Sequence, residues 1–419
     1  MNVSERQIST VKELQAAVAD PKVTCIEITG QLVDVPTLRL LPGQFLAGDG
    51  PGASIQFTAG QDGLQLTADN QVENLALKAD PERRALFNDL SVGHLGSLTL
   101  QNLSITGVVQ LLAGDKVRGG HVEAHNIDIL AADARGYGER PKGYGVEVIQ
   151  GAFTLWNQQA DVAVTLTADL TGLSAGRPGA PVLGSGIFVS GAGVSGGRLV
   201  ARRLETGAVH SDGGIAPGTP DQIAGGVFTV HGAYVDSVRN LGPVTTYGPN
   251  DMVLDNWGTV DHWLAEDKIT SYGPSGIGFV NFGTVNLLQA EAPIETFGQG
   301  SRGFNVYTGT VQTAEFDRVV THADGAVGIQ ISQPVGRISV RRGIETYGGT
   351  GDSLVKGVVL RLSAIAFSVK PGGSAREVEI EGGLLTHGQG VEPLELLGNI
   401  DSLRVTGGSV AVGAGFDQI

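Results

Sequence analysis

The chain has 419 residues, of which 64 are glycine, 5% aromatic and 17% charged, and its net charge is −15. Such a composition suits tight turns and short strands over helices, and an acidic chain without basic runs excludes nucleic acid and anionic membrane surfaces as partners. The lone cysteine, Cys25, permits no internal disulfide; no stretch reaches the roughly 18 apolar residues of a membrane span, and Met1 to Arg6 does not open a secretory leader, so the chain as written reads as cytoplasmic, with a mature secreted form as the alternative.

Residues 10–20 form the one amphipathic helical pattern, with Thr10 as cap and Glu13 completing a capping box. Residues 1–23 are therefore expected to be an amino-terminal capping helix segment. Short strands follow at Cys25 to Ile28 and Leu38 to Leu40, then the turn Pro42-Gly43-Gln44-Phe45-Leu46-Ala47-Gly48-Asp49-Gly50. Asn74-Leu75-Ala76-Leu77, Asn102-Leu103-Ser104-Ile105 and Asn126-Ile127-Asp128-Ile129 repeat an Asn-apolar strand.

The helix, the first strand and this glycine turn resemble the amino end of the pectate-lyase-like superfamily of right-handed parallel β-helices. The glycine-punctuated coils from residue 244 onward are similar to autotransporter passenger β-helices. Both resemblances concern architecture and imply one solenoid over residues 24–419; fold does not fix function. The Asp-His motif of pectate lyases is matched poorly by Val260-Asp261-His262, and no Arg-x-Pro-x-x-Arg segment is present. Strand alternation is expected to turn His262 inward.

Irregular segments near 132–145, 174–186 and 210–226 read as insertions leaving one corner of successive coils. Stacked, they should wall a groove beside the solenoid. From Val244 to Gly348 one motif then recurs every 25 residues: Thr246-Tyr247-Gly248, Ser271-Tyr272-Gly273, Thr296-Phe297-Gly298, Thr321-His322-Ala323 and Thr346-Tyr347-Gly348. Within the unit the apolar pattern has period two, placing strands near 252–257, 259–264 and 268–272. The expected fold is all-β: a single-stranded right-handed parallel β-helix, three strands and about 25 residues per coil. Thr386-His387-Gly388 falls late, with a loop expected at 371–374 and a final capping coil at 401–419.

Equivalent positions read as columns. Leu254, Phe279, Phe304 and Ile329 should point inward, followed by Asn256, Asn281, Val306 and Ile331, and the Thr246 column should cap turn amides. Two columns facing outward are aromatic: Tyr247, Tyr272, Phe297, His322, Tyr347, and Trp257, Phe282, Tyr307. Beside the second runs Asp255, Val280, Asn305 and Gln330. Outward rings at rung spacing are expected to be flat platforms for sugar rings, with cover by the inserted loops or by a partner subunit as the alternatives.

Among the acidic residues Asp251, Asp255, Asp261, Glu266 and Asp267, the acid and base candidates are Asp251 and Asp255, with Asp212 from the third insertion. Arg135, Arg140 and Lys142 would stabilise charge, with Tyr137 or Tyr144 as proton donors and Tyr137 also joining the binding surface. The glycine runs lack the lysine of a phosphate loop and no Asp-x-Asp loop occurs, so neither cofactor nor metal is expected. The leading functional expectation is a carbohydrate-active protein holding a glycan, neutral sooner than polyanionic, along the aromatic columns, as a glycosidase or polysaccharide lyase if it cleaves. The rival is a non-catalytic, adhesin-like or structural β-helix, trimeric through its aromatic stripes.

Overall fold

The computed structural model describes residues 5–355 and 357–412. The leader expectation thus falls partly, and the expected capping coil partly, outside the described residues. Among those described, α1 (Val11–Ala19) is the single α-helix. Its capping box is present: Glu13 N–H donates to Thr10 Oγ1 at 3.3 Å, and the Glu13 carboxylate accepts Thr10 N–H at 3.0 Å. Leu14, Ala17 and Val18 are buried in the same core as Ile26 and Leu46, so the helix closes the amino end of the stack. A strand not foreseen in the sequence, Glu5–Ile8, precedes it and pairs with Cys25–Ile28.

Everything else is strand and turn. Parallel strands stack into a larger and a smaller sheet of 25 and 15 described strands, an arrangement consistent with a parallel β-helix. Thr246 pairs with Ser271, then Thr296, Thr321, Thr346 and finally Thr386. Leu254 pairs with Phe279, Phe304, Ile329 and Phe367 in the smaller sheet. Both columns are buried, and Asn256 donates to Asn281 within its own column at 2.8 Å. In the later part of the Thr column the hydroxyls donate to carbonyls instead of accepting from amides, Thr321 to Ala326 O at 2.7 Å and Thr386 to Val391 O at 2.8 Å, while Thr296 Oγ1 accepts from the Ser301 hydroxyl.

The Asn-apolar repeats mark a corner. Asn74, Asn102 and Asn126 have φ of 54°, 52° and 57°, a left-handed conformation that asparagine tolerates better than most residues. Their amides also bond in series, Asn102 to Asn74 at 2.9 Å and Asn126 to Asn102 at 3.0 Å. A second close approach needs glycine itself: a Cβ on Gly303 would lie 2.2 Å from Val319 Cγ1, so the two sheets meet there only without a side chain.

Two expectations are corrected. His262 is half-exposed, with Nε2 2.8 Å from Gln289 Oε1, while Trp263 fills the core. Alternation slips by one residue at 261–262, and the same burial pattern recurs in Thr284–Ala290 and Thr310–Phe316. The late arrival of Thr386 is caused by an antiparallel hairpin, Thr350–Val355 with Val358–Ser363. The 371–374 segment is only a tight turn. No helix among the described residues is long and apolar enough to cross a membrane.

Phe304 stacks between Phe279 and Ile329 and is fully buried. Phe304→Ala should lower unfolding free energy by about 3–5 kcal/mol, read by urea denaturation. A loss under about 1 kcal/mol would mean the column is not core.

Candidate functional site

The inserted segments do join. Asp133 bridges Leu183, Leu183 pairs with Asp212, and Val182 pairs with Ser211. Beyond this wall the insertions lie over the smaller sheet instead of standing beside it. Glu147 and Val148 pair with Gln222 and Ile223, and Asn250 Nδ2 donates to Thr219 O at 2.9 Å. The 350–363 hairpin covers the same face from the other end: Leu354 N–H donates to Ser275 Oγ at 3.0 Å, and Arg302 Nη2 to Ser353 Oγ at 2.9 Å.

This roof changes the reading of the second aromatic column. Trp257, Phe282 and Tyr307 point away from the coil, but Trp257 is only 3% and Tyr307 6% exposed, and Asp255 and Asn305 are fully buried. They belong to a second apolar cluster outside the sheet, with Met252, Ile277 and Val148. The expected open platform is therefore a covered floor.

The floor is unusual in its polar groups. Both Asn305 amide atoms, Gln330 Oε1 and Arg302 Nε are buried without hydrogen-bond partners among the described residues, and the Asp255 carboxyl and Trp257 indole N–H, buried beside them, have only a poorly aligned contact with each other. Each such group costs roughly 1–3 kcal/mol, so packing alone does not account for the set. Burial drives the Asp255 carboxyl well above the usual carboxylate range, opposed by the nearby Trp257 indole N–H, and so favours the protonated acid. The adjoining cavity, bounded by Tyr144, Asp255, Phe282, Tyr307 and Leu354, measures about 50 Å³. That volume suits a few water molecules and is too small for a sugar ring.

Asp251, Asp212 and Arg135 come together at a different point. Asp251 is fully buried; its Oδ2 accepts N–H groups of Gly213 at 2.9 Å and Gly248 at 2.8 Å, while Oδ1 has no partner among the described residues. Burial raises its pKa to about 7 against the two backbone bonds, and the charge of Asp212 adds to the rise. A Cβ on Gly248 would sit 2.6 Å from Asp212 Oδ1 and 2.7 Å from Asp251 Oδ2, so the two carboxyls flank one glycine. Arg135 is held by Asp133, at 2.9 and 2.7 Å, and its charge is favoured mainly by that pairing and slightly by Asp212.

Arg140 donates to Arg135 O at 2.8 Å and borders an open cleft of about 710 Å³ with Lys142, Trp156 and His231. Tyr137 donates to Glu82 O at 3.3 Å, and burial pushes its pKa up to about 12. Of the remaining acids, Glu266 pairs with Arg239, Asp261 accepts from Asn286, and Asp267 accepts the Lys268 N–H. No group of three or more His, Cys, Asp or Glu among the described residues could hold a metal ion.

The first aromatic column stays at the surface, with Tyr272 48% exposed. Its rings stack face to face: Tyr247 to Tyr272 at 5.5 Å, Tyr272 to Phe297 at 5.0 Å, Phe297 to His322 at 4.4 Å and His322 to Tyr347 at 5.2 Å, with interplanar angles of 12°, 15°, 2° and 4°. His387 extends the ladder at 4.4 Å, and His210 meets Tyr247 at the other end. A ring stacked on both faces offers solvent its edge, so the ladder lacks the free faces a sugar needs. Glu295 and Glu345 anchor it, at 2.8 Å from His322 Nε2 and 2.9 Å from His387 Nε2.

Sequence reasoning missed Arg302 and His387, and it took Tyr144 for a proton donor where the structure makes it part of the aromatic floor. Arg302 had a signal, because it interrupts a column otherwise made of Met252, Ile277 and Val327. Tyr144 had a weaker one, its place between Gly143 and Gly145.

No family model, curated protein or solved structure matches the chain.

The raised pKa of Asp251 has a thermodynamic sign. At low pH both states hold the proton; above the unfolded value of 3.8 the unfolded chain releases it, while the native state keeps it up to about pH 7. Stability contributed by this group therefore falls as pH rises through that window, at about 1.4 kcal/mol per unit, and levels off above it. Asp251→Asn, which can keep the acceptor for Gly213 and Gly248, should remove that slope in urea unfolding compared at about pH 5 and pH 7. An identical slope in variant and wild type would reject the assignment.

Proposed function

We propose that this protein is a carbohydrate-binding β-helix, and that its ligand occupies the covered outer face of the smaller sheet together with the adjoining cleft. The reading rests on one observation, the buried amide atoms of Asn305 and Gln330 without partners among the described residues, beside Asp255 and Trp257, on a floor that also carries aromatic rings. Hydroxyl groups would satisfy those donors and acceptors, and the apolar faces of a sugar would lie against the rings. The cleft beside Trp156 and His231 has the volume for a glycan that the 50 Å³ cavity lacks.

We infer a right-handed coil of three strands beneath this site, supported by pairings that return every 25 residues, as between Asn256 and Asn281.

Cleavage by a pair of carboxylates draws less support than binding. Asp251 lies four residues before Asp255 on one strand, about 13 Å along an extended backbone, whereas glycosidase pairs stand about 5–9.5 Å apart. Asp212 and Asp251 do meet, but Asp251 is fully buried with its Oδ2 held by the Gly213 and Gly248 N–H groups, away from the floor and cleft. In the binding reading Asp255 acts as a protonated donor to a sugar hydroxyl.

A panel of neutral and acidic oligosaccharides, followed by tryptophan fluorescence, tests the reading. Saturable quenching is expected with a neutral member, weakened about tenfold by Asn305→Ala, equivalent to one hydrogen bond, without release of new reducing ends. Silence across the panel would sink it. The surface ladder favours a second reading, a structural homotrimer joined through the ring edges of Tyr272, Phe297 and Tyr347. In that case sedimentation would give a trimer that Tyr272→Glu disperses.

A further inference from the structure

Tyr144 holds a position that a ligand could take. Its ring stacks on Phe282 with centroids 4.5 Å apart and planes at 25°, meets Trp257 edge-on at 5.1 Å and 85°, and lies 5.2 Å from His231. Its hydroxyl donates to Phe282 O at 3.2 Å. The ring thus presents a flat apolar face to one aromatic residue, an edge to another and a hydroxyl to a carbonyl, which are the contacts a pyranose would make.

Three spaces meet at this ring. Tyr144 bounds the small cavity beside Asp255 and also an outer hollow that reaches Tyr234 and Gly309. The hollow shares His231 with the large cleft. With the ring withdrawn, cleft, hollow and cavity would form one continuous channel ending at Asp255.

The strand behind the ring, Val146–Val148, is tied to Gln222 and Ile223, so only the tip at Tyr144 and Gly145 is held lightly. Tyr144 is 37% exposed at the tip of a ribbon made only of Lys142–Gly143 and Val146–Val148, with the Lys142–Glu147 ion pair on its surface. Its φ is +51°, and Gly145 follows at +86°. A Cβ on Gly143 would come within 2.6 Å of His231 Nε2 and 2.7 Å of Trp257 Cζ3, so glycine lets the tip lie flat on those rings. The interior strands beneath have neither such exposure nor so few bonds.

We propose that Tyr144 is a displaceable plug in a sugar-stacking subsite formed by Phe282, Trp257 and His231. The proposal rests on the carbohydrate-binding reading and deepens it. A glycan entering along the cleft replaces the tyrosine ring on Phe282 and opens the way to Asp255, Asn305 and Gln330. Because the plugged state competes with ligand, apparent affinity is reduced by the fraction of molecules whose tip is withdrawn.

The test compares wild type, Tyr144→Ala and Glu147→Gln with cellotriose, xylotriose and maltotriose by titration calorimetry. Tyr144→Ala removes the plug, and p-cresol binding to that variant verifies that the vacated subsite is intact. Glu147→Gln loosens the tip while keeping every ring, and it decides alone should Tyr144→Ala fail to fold. The expected result is about tenfold tighter binding of one trisaccharide by Tyr144→Ala and a gain of about twofold or more by Glu147→Gln. Equal or weaker binding by both variants, with wild type binding, overturns the plug and leaves the carbohydrate reading standing. No binding by any of the three proteins, with p-cresol still taken up by Tyr144→Ala, overturns both.

Discussion

In-register stacking of parallel strands governs this molecule. Each residue meets its equivalent on the next rung about 4.8 Å away, so a column has to be chemically consistent or it destabilises every rung that it crosses. Leu254, Phe279, Phe304 and Ile329 satisfy this by being apolar. Asn256 and Asn281 satisfy it by bonding each other. Gly303 satisfies it by having no side chain where the sheets converge on Val319. Corners are the places where the chain can depart and return without breaking register, and the inserted segments leave there.

The insertions convert one outer face of the stack into an interior. A sheet face normally leaves polar residues in water, but here Asp255, Asn305 and Gln330 lie on a face roofed by segments from both halves of the chain. The result is a second apolar cluster bordered by polar atoms, those of Asn305 and Gln330 among them, that no described residue satisfies. Such an arrangement is a poor way to gain stability, and this is why the face carries the functional argument. The exposed ladder from Tyr247 to His387 is the opposite case, since its rings complete one another and His322 and His387 are anchored by glutamates.

Much of the fold was legible because register is periodic. The columns, their inward direction, the helix cap at Thr10 and the joining of the three insertions all follow from spacing and alternation. What failed was non-periodic or depended on side-chain angle. His262 was misassigned because alternation slips at 261–262, and the slip leaves no mark in composition. Cover by the inserted loops was one of the readings open for Trp257, but the residues that form it were not legible, because Tyr144 and Leu354 reach it across large separations in sequence. The stacking of Tyr272 on Phe297 depends on ring orientation, which spacing does not specify. Of the proposed acids, Asp212 and Asp251 do meet, whereas Asp255 occupies a separate environment.

The hairpin between Thr346 and Thr386 carries a broader implication. Those two threonines pair as though nothing intervened, and Ile344 and Leu384 do the same. The rungs on either side do not register the length of what passes between them, and loop-closure entropy grows only slowly with that length. Chain added at this corner thus leaves the register of the stack untouched, even where it folds back to bond Ser275 and Arg302. The scaffold can exchange one cover for another, altering what the floor admits, while its melting behaviour is set elsewhere.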